Sequence, residues 1–178
     1  VSVDGFGDFA SAAWGVGRGT QIEMEDKVYF PHSLGIFYQA LTQFFGFPNY
    51  GDEYKVMGLA PYGQPVYLEQ MRKIVLLQPD GSFKLNLACF RHHNEKIEYE
   101  WGNGETGGTP TVGALFSQGL VELMGPARGQ GEPLTQRHMD IARSVQAMYE
   151  EAFFHLLNTL HARHQLDAVA VAGGCGMN

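Results

Sequence analysis

Eight residues at the start of the chain, Val1-Ser2-Val3-Asp4-Gly5-Phe6-Gly7-Asp8, restrict its fold more than any others. Val1 and Val3 are β-branched and read as the end of a strand. Asp4 is expected where that strand runs into a turn. Gly5 and Gly7 are expected to supply positive φ there and to let the backbone approach a ligand closely. Residues 10–16 read as a returning strand. The predicted unit is a strand–turn–strand with a carboxylate at its mouth and exposed amides in the turn. Such a turn can cradle a phosphate through its N–H groups while Asp4 holds a metal. An Asp-Gly hairpin without any chemistry has the same pattern.

The chain has 178 residues, enough for one domain with a core or for one lobe of a larger protein. Its 44% apolar and 17% charged residues describe a globular chain, not a disordered one. A net charge of −7 argues against a nucleic-acid-binding surface or a basic membrane patch. Binding a nucleotide through backbone amides and a metal remains open to an acidic domain. No segment reads as a signal peptide or as an apolar run that spans a bilayer. Cys89 and Cys175 read as free, buried thiols in a reducing compartment, which implies a cytoplasmic protein. Val1 falls inside a predicted strand and Asn178 follows a strand and a glycine pair. Domain boundaries usually fall in exposed linkers, so the chain is expected to be a piece of a longer protein.

Residues 22–27 suggest a further antiparallel strand. Ser33 is a good N-cap, and Leu34, Phe37, Tyr38, Leu41, Phe44 and Phe45 follow at helical spacing, which predicts a helix over 34–45. Gly46 and Pro48 end it, and its aromatic stripe reads as core. Residues 53–59 read as two helical turns closed by Pro61. Glu53 and Lys55 stand two apart and do not share a helix face, so both are expected to be free for other partners, or to form a solvated pair. A helix is predicted over 66–77, a turn at 79–81, and a strand over 83–87 with its partner at 97–101. Residues 103–113 read as a glycine-rich loop without the P-loop order. His92 and His93 point opposite ways on an extended chain, which disfavours a shared metal. A second loop covers 125–133.

Thr135 then caps the longest helix, expected over about 136–164, with Leu134 and Met139 as a hydrophobic staple. Ile141, Val145, Met148, Ala152, Leu156 and Leu160 form its buried stripe. His161 and His164 lie three apart near its end, a spacing that suits zinc or the negative end of the helix dipole. Residues 167–172 read as a strand buried on both faces, parallel to the first. Gly173-Gly174 follow directly. Ligands of open α/β sheets bind beyond the carboxyl ends of strands, so a nucleotide can lie against this bare backbone, with Asn178 adding an amide. An ordinary glycine-rich turn has the same composition.

Three longer stretches carry a family resemblance: F-P-H-S-L-G-I-F-Y through G-D-E-Y-K-V-M-G-L-A-P-Y-G (30–63), G-P-A-R through E-P-L-T-Q-R-H-M-D-I-A-R-S-V-Q (125–146), and V-A-V-A-G-G-C-G-M-N (169–178). With residues 1–8 they resemble the nodulation-protein-type O-carbamoyltransferases, which also act in antibiotic biosynthesis. The order of hairpin, long helix and strand closing on Gly-Gly resembles the second lobe of the actin/sugar-kinase/heat-shock-chaperone ATPase fold. The resemblance implies an α/β fold: a mixed sheet with a β-hairpin start and flanking helices, forming a partial domain over 1–178 with a variable insertion at 64–134.

In this domain the family is similar to the tRNA threonylcarbamoyl-transfer proteins. Its members carry a separate YrdC-like domain that makes carbamoyl adenylate from ATP and carbamoyl phosphate. The part seen here is then implied to pass the carbamoyl group to a hydroxyl of a small molecule such as a sugar or antibiotic precursor. The family's iron-type divalent metal is held by a histidine pair and aspartates. Asp4 matches one aspartate; the pair belongs to a segment before Val1 and another aspartate beyond Asn178. The metal site of this chain is therefore expected to be incomplete, and the chain alone inactive. The resemblance also implies that Gly5 and Gly7 offer amides to phosphate. Glu53 would meet ribose hydroxyls with Lys55 nearby, and Gly173, Gly174 and Asn178 would receive the nucleotide. No Ser/His/Asp triad is evident. Two other classes share the sequence features: an actin-like nucleotide-binding module without carbamoyl chemistry, and a sugar-kinase-like phosphotransferase.

Overall fold

A computed structural model describes residues 1–101, 109–129 and 131–178. The chain opens as an antiparallel meander of β1 (Ser2–Gly7), β2 (Ala10–Arg18) and β3 (Gln21–Tyr29), in that spatial order. The expected hairpin is present, but its turn is not at Asp4. Gly7 pairs with Ala10, and the two-residue loop between them holds Asp8 and Phe9 at φ of +48° and +68°. Left-handed residues at both loop positions match the right-handed twist of the flanking strands. The positive φ expected at Gly5 and Gly7 is therefore taken by Asp8 and Phe9. Asp4 instead lies within β1. There the register passes from Val3↔Ala12 to Gly7↔Ala10, so residues 4–6 bulge from the ladder opposite Ser11.

α1 (Leu34–Phe44) starts where expected, with the Ser33 hydroxyl accepting from the Ile36 N–H at 3.2 Å. Leu34, Phe37, Tyr38, Leu41 and Phe44 are buried, so its aromatic stripe is core. Gly46 follows at φ +76°. α2 (Glu53–Leu59) runs into a 3-10 turn at Ala60–Tyr62 that contains Pro61.

The helix predicted over 66–77 divides in two. α3 (Leu68–Ile74) gives way to β4 (Val75–Leu77), which pairs antiparallel with β5 (Phe83–Leu85) across the turn around Asp80 and Gly81. The run Ile74-Val75-Leu76-Leu77 has no polar face for a helix to expose, and the hairpin buries Val75 opposite Leu85. β5 therefore takes β4 as partner. In place of the expected partner at 97–101, β6 (Tyr99–Glu100) pairs with β7 (Thr111–Val112), inside the stretch read as a glycine-rich loop. Positions 102–108 of that loop lie outside the described residues. α4 (Gln118–Met124), capped by Ser117, has no counterpart among the sequence expectations.

α5 (Gln136–His164) forms over the predicted span. Ile141, Val145, Met148, Ala152 and Leu156 are fully buried, and Leu160 is partly so. Thr135 caps it, and the His138 Nδ1 accepts from the Thr135 N–H at 3.0 Å.

The end of the chain returns to the first strand. Ser2 and Ala172 form a parallel bridge. The Val3 N–H donates to the Ala172 carbonyl, and the Ala172 N–H to that of Val1, both at 3.0 Å. The run before Gly173 is parallel to β1 as expected, but a single bridge at Ala172 stands in place of the strand expected over 167–172, and the run is not buried on both faces. Val169 and Val171 are exposed, because this segment lies at the sheet edge with only its β1 flank paired. The result is a mixed α/β structure of small sheets and helices. Among the described residues no helix is long and apolar enough to cross a membrane. Cys89 is buried and Cys175 partly so, both as free thiols.

Candidate functional site

The bulge in β1 becomes a site because α1 is drawn onto it. The Ser33 hydroxyl, besides capping α1, donates to the Gly5 carbonyl at 2.7 Å. Two residues later Gly35 meets the bulge backbone. A Cβ at Gly35 would sit 2.8 Å from the Gly5 Cα, so no side chain fits there. From the other side comes the loop after Gly173, where a Cβ on Gly174 would lie 3.2 Å from the Asp4 Oδ1. Helix, bulge and terminal loop thus converge around a cleft of about 350 Å³.

Five of the sequence-predicted residues line this cleft: Asp4, Gly5, Glu53, Gly174 and Asn178. Three do not. Gly7 lies beyond the bulge beside the hairpin loop. Gly173, at φ +92°, serves packing: a Cβ there would come within 2.2 Å of the Val3 carbonyl oxygen. Lys55 is not free, since its ammonium pairs with the Asp52 carboxylate at 2.7 Å. The spacing that matters is i to i+3 from Asp52, which shares its helix face, not the two-residue step from Glu53.

Asp4 is exposed, and its Oδ1 accepts from the Gly5 N–H at 2.8 Å. The bulge amide expected to face a phosphate is therefore turned onto Asp4 itself. Glu53 is partly buried, and burial holds its carboxyl above the usual range, with the neighbouring Asp52 acting in the same direction. Burial, reinforced by the Asp4 and Glu53 carboxylates, pushes the Cys175 thiol up to about 12. Among the described residues no group of three or more His, Cys, Asp or Glu side chains could hold a metal ion. Asp4 brings one exposed carboxylate to the cleft.

Of the other cleft residues, Tyr38 reads from its spacing only as core, and Tyr149 carries no sequence expectation. The Tyr38 hydroxyl donates to the Gln146 Oε1 at 2.9 Å, and the Gln146 Nε2 donates to Glu150 and to the Asn178 Oδ1, each at 3.0 Å. Tyr149 donates to the Cys175 carbonyl and meets the Tyr38 ring edge-to-face at 5.8 Å. Burial raises both phenols well above the ordinary tyrosine value, so they stay protonated donors at neutral pH. The available signal was chemical: a tyrosine in a phenylalanine-rich stripe brings a hydroxyl that needs a partner. Tyr50 and Tyr54 stand exposed at the rim. A second hollow of about 490 Å³ adjoins the first through Met57 and Asn178, with Arg143, Gln146 and Glu150 on its wall.

The histidines take other roles. His92 Nε2 bonds the Pro31 carbonyl at 2.7 Å. His164 lies 2.9 Å from the Glu25 carboxylate, which Arg163 also contacts at 3.2 Å, clasping the end of α5 to β3. His161 Nδ1 lies 3.1 Å from the Leu166 carbonyl.

Comparison with known proteins gives a consistent result. The family model described as carbamoyltransferase N-terminus matches residues 1–178. The chain is 38% identical over 180 residues to the uncharacterized protein sll1178 of Synechocystis, covering 100% of this chain and 26% of that protein. It is 31% identical over 180 residues to nodulation protein NolO of Bradyrhizobium diazoefficiens, covering 99% of this chain and 27% of the relative. Nodulation protein NolNO of Sinorhizobium fredii is 29% identical over 181 residues, with 100% and 22% covered. The chain spans about a quarter of the length of these relatives.

Proposed function

We propose that this chain, which belongs to the carbamoyltransferase N-terminus family, is the part of an O-carbamoyltransferase that receives carbamoyl adenylate and passes its carbamoyl group to a small-molecule hydroxyl. The observation that carries the proposal is the convergence of Asp4, Gly5, Glu53, Gly174 and Asn178 on one cleft. These residues come from both ends of the chain and from α2, and three of the four stretches of family resemblance supply them. The meander and its parallel bridge to Ala172 support reading the chain as one lobe of the actin-like ATPase fold, with residues 64–134 as a variable insertion.

In this proposal the acceptor oxygen bonds to the carbamoyl carbon, the bond from that carbon to the phosphate oxygen breaks, AMP departs and the hydroxyl releases its proton. The adenylate is a good leaving group, so the reaction asks for alignment more than for a covalent enzyme nucleophile. Gly5, where a Cβ would meet nothing within 4 Å, leaves room for the ligand against bare backbone. Glu53 accepts hydrogen bonds from ribose hydroxyls, and its partial burial keeps that contact out of bulk water. Asn178, its Oδ1 held by the Gln146 amide, brings its own amide to the same cleft. A divalent metal would require ligands beyond the residues described here, with Asp4 as one of them. A YrdC-like domain supplying the adenylate, and a cytoplasmic location, complete the proposal.

The test is Asp4→Asn in the full-length protein, which keeps size and one acceptor oxygen but removes the charge. Acceptor carbamoylation is expected to fall about 10²–10³-fold, the range for lost electrostatic stabilisation at a reacting centre. ATP-to-AMP turnover by the other domain should persist. Transfer that stays near wild type would leave Asp4 as a bulge residue and refute the proposal.

A further inference from the structure

Among the described residues, Gln39 is the one at the cleft that no sequence feature singled out and that the fold leaves incomplete. It lies four residues after Gly35, one turn along the face of α1 that covers the β1 bulge. Only 7% of its surface is exposed, it lines the cleft, and its amide nitrogen is buried without a hydrogen-bond partner. A buried donor left unpaired destabilises a fold, so an orphaned one next to a cavity calls for an explanation. Its neighbours on the helix differ in this respect: Tyr38 is bonded to Gln146, and Thr42 donates to the Tyr38 carbonyl at 2.9 Å.

We infer that the Gln39 amide is a ligand-binding group, donating a hydrogen bond to an oxygen of the acyl-phosphate portion of a molecule seated against the Asp4–Gly5 bulge. Three features carry this. The amide's terminal torsion is broad and the side chain lines the cleft, so no bond within the fold holds the N–H away from a ligand. The surrounding wall is Gly5, Gly35 and Gly174, which brings a ligand within reach of the helix. The nearby carboxylates of Asp4 and Glu53 only accept hydrogen bonds when ionised, so an oxygen-rich ligand needs donors from elsewhere. The bulge amide of Gly5 is already spent on Asp4. Gln39 supplies a neutral side-chain donor from α1.

The inference rests on the carbamoyl-transfer proposal for the ligand's identity, and its test separates the two. Gln39→Met keeps the approximate shape and removes the donor; Gln39→Leu repeats the change should methionine pack badly. In the full-length protein, binding of a non-hydrolysable carbamoyl adenylate analogue and of AMP is measured by calorimetry, beside thermal denaturation without ligand. The variant should denature at the same or a higher temperature, since it loses an unsatisfied buried donor. It should bind the analogue roughly 10- to 100-fold more weakly. An equal loss for AMP identifies the phosphate as the acceptor of the hydrogen bond, and an unchanged AMP affinity identifies the carbamoyl oxygen. Unchanged analogue affinity in a folded variant overturns the inference. So does a fall of several degrees in the denaturation temperature of both variants without ligand, which would make Gln39 a structural residue. Failure of the wild-type protein to bind the analogue at all refutes the carbamoyl-transfer proposal, and this inference with it.

Discussion

Ser33→Ala is expected to loosen the attachment on which the cleft depends. Ser33 is fully buried, and its hydroxyl works in two directions. It accepts from the Ile36 N–H at 3.2 Å as the cap of α1, and it donates to the Gly5 carbonyl at 2.7 Å as the tether to the β1 bulge. Loss of an N-cap side chain costs about 1 kcal/mol. Loss of a neutral hydrogen bond to a partly buried carbonyl costs about 1 kcal/mol more. The variant should therefore be destabilised by about 2 kcal/mol, or roughly 4–8 °C in a chain of this size. Ser33→Gly retains most of the capping and loses only the tether, so about half of that loss is expected. Urea denaturation followed by the fluorescence of buried Trp14 measures both, with the m-value unchanged if the native state is otherwise intact. A loss below about 0.5 kcal/mol in both variants would refute the reasoning, because neither role would then matter to the fold.

Two further outcomes can be measured in the same way. Gly173→Ala should cost at least about 2 kcal/mol, since alanine disfavours positive φ and its Cβ would meet the Val3 carbonyl. Gly7→Ala, whose Cβ meets nothing within 4 Å, should change stability by less than about 1 kcal/mol; equal effects from the two would contradict the packing assigned to Gly173. Burial, helped by the Arg137 and Arg128 charges, holds the His138 imidazole below its usual pKa. The unfolded chain then takes up the proton first, so His138 costs stability as pH falls below about 6.5 and nothing above it. His138→Gln keeps an acceptor for the Thr135 N–H and should flatten the decline in denaturation midpoint between about pH 7 and 5; an unchanged slope would count against it.

What could be read in advance followed from periodicity and capping. The α1 and α5 stripes repeat at helical spacing over enough residues to exclude a strand, and Ser33 and Thr135 mark their starts. The errors lay where one short pattern serves two structures. Ile74 to Leu77 extends a helical pattern equally well as it forms a buried strand, and only pairing with Phe83 to Leu85 decides. Glycines in the first stretch suggested the turn, yet the left-handed positions went to Asp8 and Phe9 because strand pairing on either side set the loop length. The site was legible as far as its glycines and carboxylates. Gln39, Tyr38 and Tyr149 were not, because a helical stripe records which residues are buried and not which of them border a cavity.

The contact of Gly35 with Gly5 has a consequence for how such a cleft can diversify. Here backbone lies directly on backbone, and Gly174 closes in on Asp4 from the other side. A side chain at Gly35 would force this backbone contact apart and one at Gly174 would crowd Asp4, so neither offers a graded way to change what is accommodated. Exposed Tyr50 and Tyr54 carry no such restriction. A lineage of these proteins would thus keep one floor and adapt to different small molecules by exchanging residues at the rim.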